Sequence, residues 1–152
     1  MSFSTQGRLN CASLITILVA GLANAQDSPS KFSVAGFSAG ATPHSSIGHV
    51  ELSVSLDGKG ETKCTASPQT YQKFPDVSKT PCADPKTTFS LTRTADSGAD
   101  LEIWREVSPG VIAHGKHVIL AREISWGNQQ PNPNGAVESY TGSKGFDFPV
   151  EK

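Results

Sequence analysis

The sequence lacks an excess of charge of either sign. Its 13 Lys and Arg side chains stand against 14 Asp and Glu, and the two signs are interspersed along the chain. Proteins that bind nucleic acid carry a basic patch, because phosphate groups supply most of the attraction. The composition therefore argues against a nucleic-acid partner.

The apolar pattern of an amphipathic helix is also missing. Beyond residue 25 there is no long apolar series at i, i+3, i+4 and i+7, and Gly, Pro, Ser and Asn recur at short intervals. Residues 36–40 (GFSAG) match the Gly-x-Ser-x-Gly pattern, but a β-rich chain of this size lacks the alternating strands and helices that a nucleophile elbow requires. The chain also lacks a glycine-rich loop between a strand and a helix. These features argue against a serine hydrolase and a nucleotide-binding site. We expect no cofactor and no catalytic residues, so the protein is not expected to be an enzyme.

The N-terminal segment has the organisation of a secretory signal peptide. Arg8 supplies a positive charge, residues 11–22 form an uncharged apolar run, and Ala23, Asn24 and Ala25 place small residues at the cleavage site. The run is shorter than the roughly 20 residues that a membrane-spanning helix needs. We predict a signal peptide at residues 1–25 and a secreted, extracellular β domain at residues 26–152. No membrane association is expected after cleavage.

Cysteine is scarce, and its distribution predicts a single disulfide. Cys11 leaves with the signal peptide, so the secreted domain retains Cys64 and Cys82. In an oxidising compartment two cysteines most simply pair, with two free thiols as the alternative. Closing the loop between Cys64 and Cys82 adds about 3 kcal/mol of stability in the chain-entropy model.

The remaining sequence alternates apolar and polar residues with the period of β-strands. In HVELSVSL, Val50, Leu52, Val54 and Leu56 share one face. Further strands are expected in TTFSLTRT, ADLEIWREV and FDFPV, and weaker ones at 32–37 and 137–141. The Asp57-Gly58-Lys59-Gly60 sequence predicts a tight hairpin turn. The pattern indicates an all-β, single-domain antiparallel β-sandwich or small β-barrel with one disulfide.

Three other stretches depart from this alternation of apolar and polar residues. KHVILAREI is apolar on both faces around Val118, Ile119 and Leu120, which predicts a central strand or one covered on both sides. Residues 67–85 contain four prolines and are expected to form a surface loop that Cys82 holds to the strand of Cys64. Residues 127–135 are predicted to form a second polar loop.

Several short segments, taken in order, resemble a known group of proteins. They are FSVAGFSAGATPHSS, Cys82-Ala83-Asp84-Pro85, GADLEIW and SYTGSKGFDFPV. The chain resembles fungal small secreted proteins related to the β-barrel family typified by the major Alternaria allergen, which includes elicitors of hypersensitive cell death in plants. The resemblance implies an extracellular, disulfide-supported β-barrel or sandwich that acts at a host surface or on host defence proteins. It supplies no catalytic residues.

The four histidines are candidate metal ligands or acid–base catalysts. A small secreted hydrolase would use His44, His49 and Glu51. The HGKH motif at 114–117 lacks a third ligand, and its central Gly115 predicts a turn. We therefore expect no metal site, and we interpret His44 as a turn-stabilising imidazole that donates to a backbone carbonyl.

The acidic strand near residue 104 offers candidate ligand-binding residues. Alternation places Trp104 beside Glu102 and Glu106, opposite the apolar face. An outward Trp among carboxylates suits sugar stacking, and Trp126 offers a second platform. The burial tendency of Trp favours structural packing for both side chains instead, with Arg105 then reaching outward.

These features favour a secreted, non-catalytic, elicitor-like or effector-like protein that binds a host or cell-surface component, whether protein or glycan. A carbohydrate or cell-wall binding module is the first alternative, and the small hydrolase is the second.

Overall fold

A computed structural model describes residues 28–127 and 135–152, and these residues form two antiparallel β-sheets. The strands are β1 (Lys31–Ala41), β2 (Gly48–Leu56), β3 (Lys59–Ala66), β4 (Val77–Pro81), β5 (Thr87–Arg93), β6 (Ala99–Ser108), β7 (Val111–Ile119), β8 (Ile124–Gly127), β9 (Val137–Tyr140) and β10 (Phe146–Pro149). The described residues contain no helix that is long and apolar enough to cross a membrane. The predicted signal peptide, its cleavage site and most of the loop at 127–135 lie outside the described residues.

The first three and the last three strands form one sheet, and β4 to β7 form the other. The first has the order β3-β2-β1-β9-β8, with β10 also paired to β1, and the second has the order β4-β5-β6-β7. A bulge between Ala35 and Ser38 interrupts β1, where Gly36 adopts a positive φ of 63°. On one side of this bulge β1 pairs with β10, and on the other it pairs with β9. The predicted all-β antiparallel fold is confirmed, in the form of a sandwich.

The core lies between the inner faces of the two sheets. Leu52 and Val54 of β2 are at most 1% exposed, and Phe89 and Leu101 of the facing sheet are fully buried. Each such side chain stabilises the fold by about 1.5 to 3 kcal/mol, because its apolar surface is removed from water. The alternation predicted for β2 is confirmed, and the hairpin turn follows it at Asp57 and Gly58, both with positive φ.

The edges of the two sheets are joined on both sides of the sandwich. On one side Cys64 in β3 is bonded to Cys82, which follows β4, as predicted. The amide of Ala83 also donates to the carbonyl of Lys63 at 2.8 Å. On the other side β7 meets the C-terminal segment through a bridge between Gly115 and Val150. The linked edges therefore hold the two layers together independently of the core.

The prediction of a central strand around residues 118–120 is wrong. β7 is the last strand of the second sheet, and Val118 and Leu120 are 49% and 41% exposed while Ile119 is fully buried. The apolar outer residues therefore face solvent at the edge of the sheet.

The turn predicted at Gly115 is also absent, because this glycine lies inside β7. A Cβ atom there would lie 2.9 Å from both the Phe32 Cδ2 atom and the Pro149 carbonyl oxygen. The position requires glycine because the two sheets approach closely, not because the chain reverses.

The proline-rich stretch at 67–85 is only partly a loop. Its Val77–Pro81 segment forms β4, which pairs with β5 at the edge of the second sheet. Proline is tolerated in an edge strand because one side of such a strand has no neighbouring strand that requires an amide donor. The loop expectation is thus correct for the flanking residues and wrong for β4.

Candidate functional site

Trp104 lies on the outer face of β6, as the alternation predicts, but its ring is not free. The ring is half-buried and stacks on His114 of β7, with 4.9 Å between ring centroids and 12° between planes. The Lys79 ammonium of β4 lies 4.2 Å from the indole centroid. β4 and β7 lie on opposite sides of β6, so the two neighbours approach Trp104 from opposite directions. Trp104 therefore belongs to a surface cluster and not to the core.

The carboxylates near Trp104 have unequal surroundings. Glu102 Oε1 lies 3.2 Å from His114 Nε2, and Glu151 Oε2 lies 3.0 Å from His114 Nδ1. A charged imidazolium donates to both carboxylates, whereas a neutral imidazole donates to one. Glu106 is exposed and lies two residues from Trp104 along β6, opposite Ile112. Glu102 is thus engaged in a side-chain network, while Glu106 faces solvent.

Arg105 points into the protein, so the expected outward orientation is wrong. The residue is 8% exposed. Its Nε donates to Thr87 Oγ1 at 2.8 Å, and its two terminal nitrogens donate to the carbonyls of Lys59 and Gly60 at 3.1 and 2.7 Å. Burial lowers the pKa of the guanidinium, while the nearby Asp84 raises it. Arg105 therefore ties β6 to the start of β3.

Trp126 is 52% exposed on β8, so the expectation of packing is wrong for this residue. The Lys73 ammonium lies 4.8 Å from its ring centroid. Because Trp126 and Trp104 lie in different sheets, they do not form the shared platform that a pair of stacking tryptophans requires. Trp126 therefore has to be considered with its own neighbours.

A polar recess lies beside Trp126 and was not identified from the sequence. We call it the Arg93–Glu138 cleft, and it has a volume of about 430 Å³. Trp126 faces Glu138 directly across the β8–β9 ladder, and Lys73 lines the cleft. The lining residues are Gln69, Thr70, Lys73, Phe74, Asp76, Arg93, Thr94, Ser97 and Glu138.

A shielded ion pair organises this cleft. Arg93 Nη1 lies 2.8 Å from Glu138 Oε2, and the two side chains are only 23% and 12% exposed. The same carboxylate oxygen accepts from the Phe74 amide at 2.7 Å, and Arg93 also donates to the carbonyls of Ser97 and Gly98 at 3.2 Å. Burial raises the pKa of Glu138, but the hydrogen bonds from Phe74 and Arg93 outweigh it and hold the pKa below its usual value. Three distant segments are thereby fixed around one carboxylate.

Two of the four described non-glycine residues with positive φ lie beside the same cleft. Gln72 and Ser97 have φ values of 60° and 69°, which non-glycine residues seldom adopt. The Gln72 carbonyl accepts from the Glu138 amide at 2.8 Å, which holds the strained loop in place. Such conformations cost about 1 to 3 kcal/mol and cluster at functional sites. No sequence motif signals this cleft, since its residues come from 69–76, 93–97 and 138.

The candidate hydrolase residues do not meet in a catalytic arrangement. His49 Nε2 lies 3.2 Å from Ser38 Oγ, and Glu51 Oε1 lies 2.6 Å from Lys63 Nζ. Lys63 lowers the pKa of Glu51 by hydrogen bonding and by its charge. His44 is exposed in the β1–β2 turn with φ 56°, and the carbonyl partner expected for its ring is not found among the described residues. His49 and Glu51 are therefore surface side chains of one strand, each with another partner.

His114 and His117 of the HGKH motif lie on opposite faces of β7, because side chains alternate along a strand and these two residues are three positions apart. His117 stacks on Phe146 with 3.9 Å between ring centroids, and burial lowers its pKa. Within residues 28–127 and 135–152, no group of three His, Cys, Asp or Glu is placed to hold a metal ion. Comparison with protein-family models and with curated proteins gives no match for this chain.

Proposed function

We propose that this is a secreted, non-catalytic fungal protein, elicitor-like or effector-like, that binds a host or cell-surface target. The observation that carries the proposal is the Arg93–Glu138 cleft, together with exposed Trp126, which contacts the lining residue Lys73 and pairs with Glu138. A recess with convergent polar groups and an amphipathic aromatic is the usual form of a recognition site. The segmental resemblance to secreted fungal elicitors supports the same assignment.

The scaffold suits an extracellular binding role. The Cys64–Cys82 disulfide and the Gly115–Val150 bridge join the two sheets at opposite edges. A rigid scaffold holds its surface loops in one geometry, so little ordering is required when a partner binds. The cleft is formed by such loops, by the end of β5 and by the start of β9.

Leaf infiltration with purified residues 26–152 tests the proposal. We expect localised cell death or an oxidative burst, together with retention of the protein on an apoplastic or cell-wall fraction. A matched sample that has been unfolded by heating with a reductant serves as the control. Absence of both the leaf response and retention contradicts the proposal.

A carbohydrate or cell-wall binding module is the second candidate, and the exposure of Trp126 favours it. Trp104 does not add to this argument, because His114 and Lys79 engage its ring. The hydrolase alternative gains no support, since His49 and Glu51 contact Ser38 and Lys63.

A further inference from the structure

We propose that the Arg93–Glu138 cleft binds a neutral pyranose glycan, with Trp126 as the stacking surface. This inference rests on the proposed binding function and names its ligand class. The site differs from the one suggested by the sequence, which centred on Trp104 and the carboxylates of β6.

Trp126 provides the apolar contact that a sugar ring needs. One face of a pyranose presents C–H groups, which pack on an indole ring while the hydroxyls point sideways. More than half of Trp126 is exposed, at 52%. The Lys73 ammonium lies 4.8 Å from the ring centroid, and Lys73 also lines the cleft. Lys73 therefore connects the ring to the cleft, and a sugar would stack on the part of the ring that Lys73 leaves free.

The cleft lining matches the hydrogen bonding of sugar hydroxyls, each of which both donates and accepts. Gln69 and Lys73 supply N–H donors, and Asp76 supplies carboxylate acceptors. The Ser97 hydroxyl can serve either role, whereas the Thr94 hydroxyl, which already donates to Asp96, can accept. A purely acidic or purely basic pocket would satisfy only one half of this pattern.

The charge of the cleft favours a neutral glycan over an acidic one. Lys73 and Arg93 are balanced by Asp76 and Glu138, and Arg93 and Glu138 already pair at 2.8 Å. A uronate or sulfated sugar brings a negative charge that requires a surplus cation to replace its hydration. The lining provides no such surplus.

The cleft is preorganised for binding. The Glu138 carboxylate connects the Phe74 amide to Arg93, and Arg93 holds the carbonyls of Ser97 and Gly98. The strained Gln72 backbone is held by a hydrogen bond from the Glu138 amide. Because these groups are fixed without a ligand, a sugar does not have to order them on binding.

The test is calorimetric titration of purified residues 26–152 with cellohexaose, laminarihexaose and chitohexaose, and with an oligogalacturonide of similar length as the acidic comparison. We expect at least one neutral oligosaccharide to bind and the oligogalacturonide to bind more weakly. Trp126→Ala should weaken binding by about tenfold or more, which corresponds to about 1.4 kcal/mol. Trp104→Ala is the matched control and should leave the affinity unchanged.

Three results overturn the inference: no binding of any neutral oligosaccharide at millimolar concentration, preferential binding of the oligogalacturonide, or unchanged affinity in Trp126→Ala. Melting curves verify that both variants are folded, and Trp126→Phe should restore part of the affinity by keeping an aromatic face. The broader proposal is judged separately. If sugars do not bind while leaf response and wall retention persist, only the glycan assignment fails.

Discussion

At the scale of single residues, the neighbours of a side chain decide its role more than its position on a strand face does. Trp104 and Trp126 both project from strands and each has a lysine over its ring, yet Trp104 is also stacked on His114 and half-buried, whereas Trp126 is 52% exposed. Their contributions to stability should therefore differ, although the sequence supports the same expectation for both.

Trp104→Ala should lower the free energy of unfolding by about 1 to 2 kcal/mol, since it removes a stacked ring pair and a cation contact on a half-buried surface. Trp126→Ala should change it by less than about 0.5 kcal/mol. Urea denaturation of both variants measures the difference. A loss above about 3 kcal/mol for Trp104→Ala would place this residue with the core.

Arg105→Met should be more costly, because the guanidinium satisfies the Thr87 hydroxyl, which is completely buried, and two carbonyls. Leaving buried polar groups without a donor costs about 1 to 3 kcal/mol each, and rehydration of the turn carbonyls limits the sum to about 2 to 4 kcal/mol. The exposed Arg122→Met is the matched control. Equal melting temperatures for the two variants would contradict the structural role of Arg105.

At the scale of elements, the contact between β7 and the C-terminal segment depends on a missing side chain. Gly115→Ala places a Cβ atom 2.9 Å from Phe32 Cδ2 and from the Pro149 carbonyl oxygen. The overpacking should cost about 1 to 3 kcal/mol. Gly145→Ala is the control, because its Cβ would meet only the Val34 carbonyl at 3.4 Å. Thermal melts should separate the two variants, and the same melting temperature for both would show that β7 and β10 adjust freely.

The loop at 69–76 is joined to β9 by a carboxylate whose pKa is lowered in the folded state. Glu138 therefore adds stability above its unfolded pKa of about 4.5, and this stability is lost as the pH falls through the lower folded value. Glu138→Gln should be less stable than the wild type at neutral pH and should lose less stability on acidification. Denaturation between neutral and strongly acidic pH measures both effects, with Glu106→Gln as the exposed control. Parallel pH profiles for wild type and Glu138→Gln would contradict the linkage.

At the scale of the whole molecule, two layers are held together by their core and by links at their edges. Replacing both Cys64 and Cys82 with Ala removes one link and should cost about 3 kcal/mol. A domain whose total stability is about 5 to 15 kcal/mol should remain folded after this loss. The denaturation midpoints of the variant and of the reduced wild type should agree. A variant as stable as the oxidised protein would show that the core alone fixes the relative position of the sheets.

The sequence by itself determined the features that depend on nearby residues. The alternation of Val50 to Leu56 defined a strand face, Asp57-Gly58 defined the turn after it, and the two cysteines beyond residue 25 defined their own pairing. These follow from the period of a strand, from the conformations open to turn residues and from the small number of thiols.

Only the tertiary structure decided which neighbour covers each face. Alternation assigns Arg105 to the same face as Ile103, but only the carbonyls of Lys59 and Gly60 explain why a charged residue lies inside. The apolar residues around Val118 do not reveal that β7 lies at a sheet edge. The Arg93–Glu138 cleft joins residues 45 positions apart, because long-range pairing of β9 brings Glu138 to the end of β5. Local patterns carry no information about such contacts, which arise when the two sheets pack.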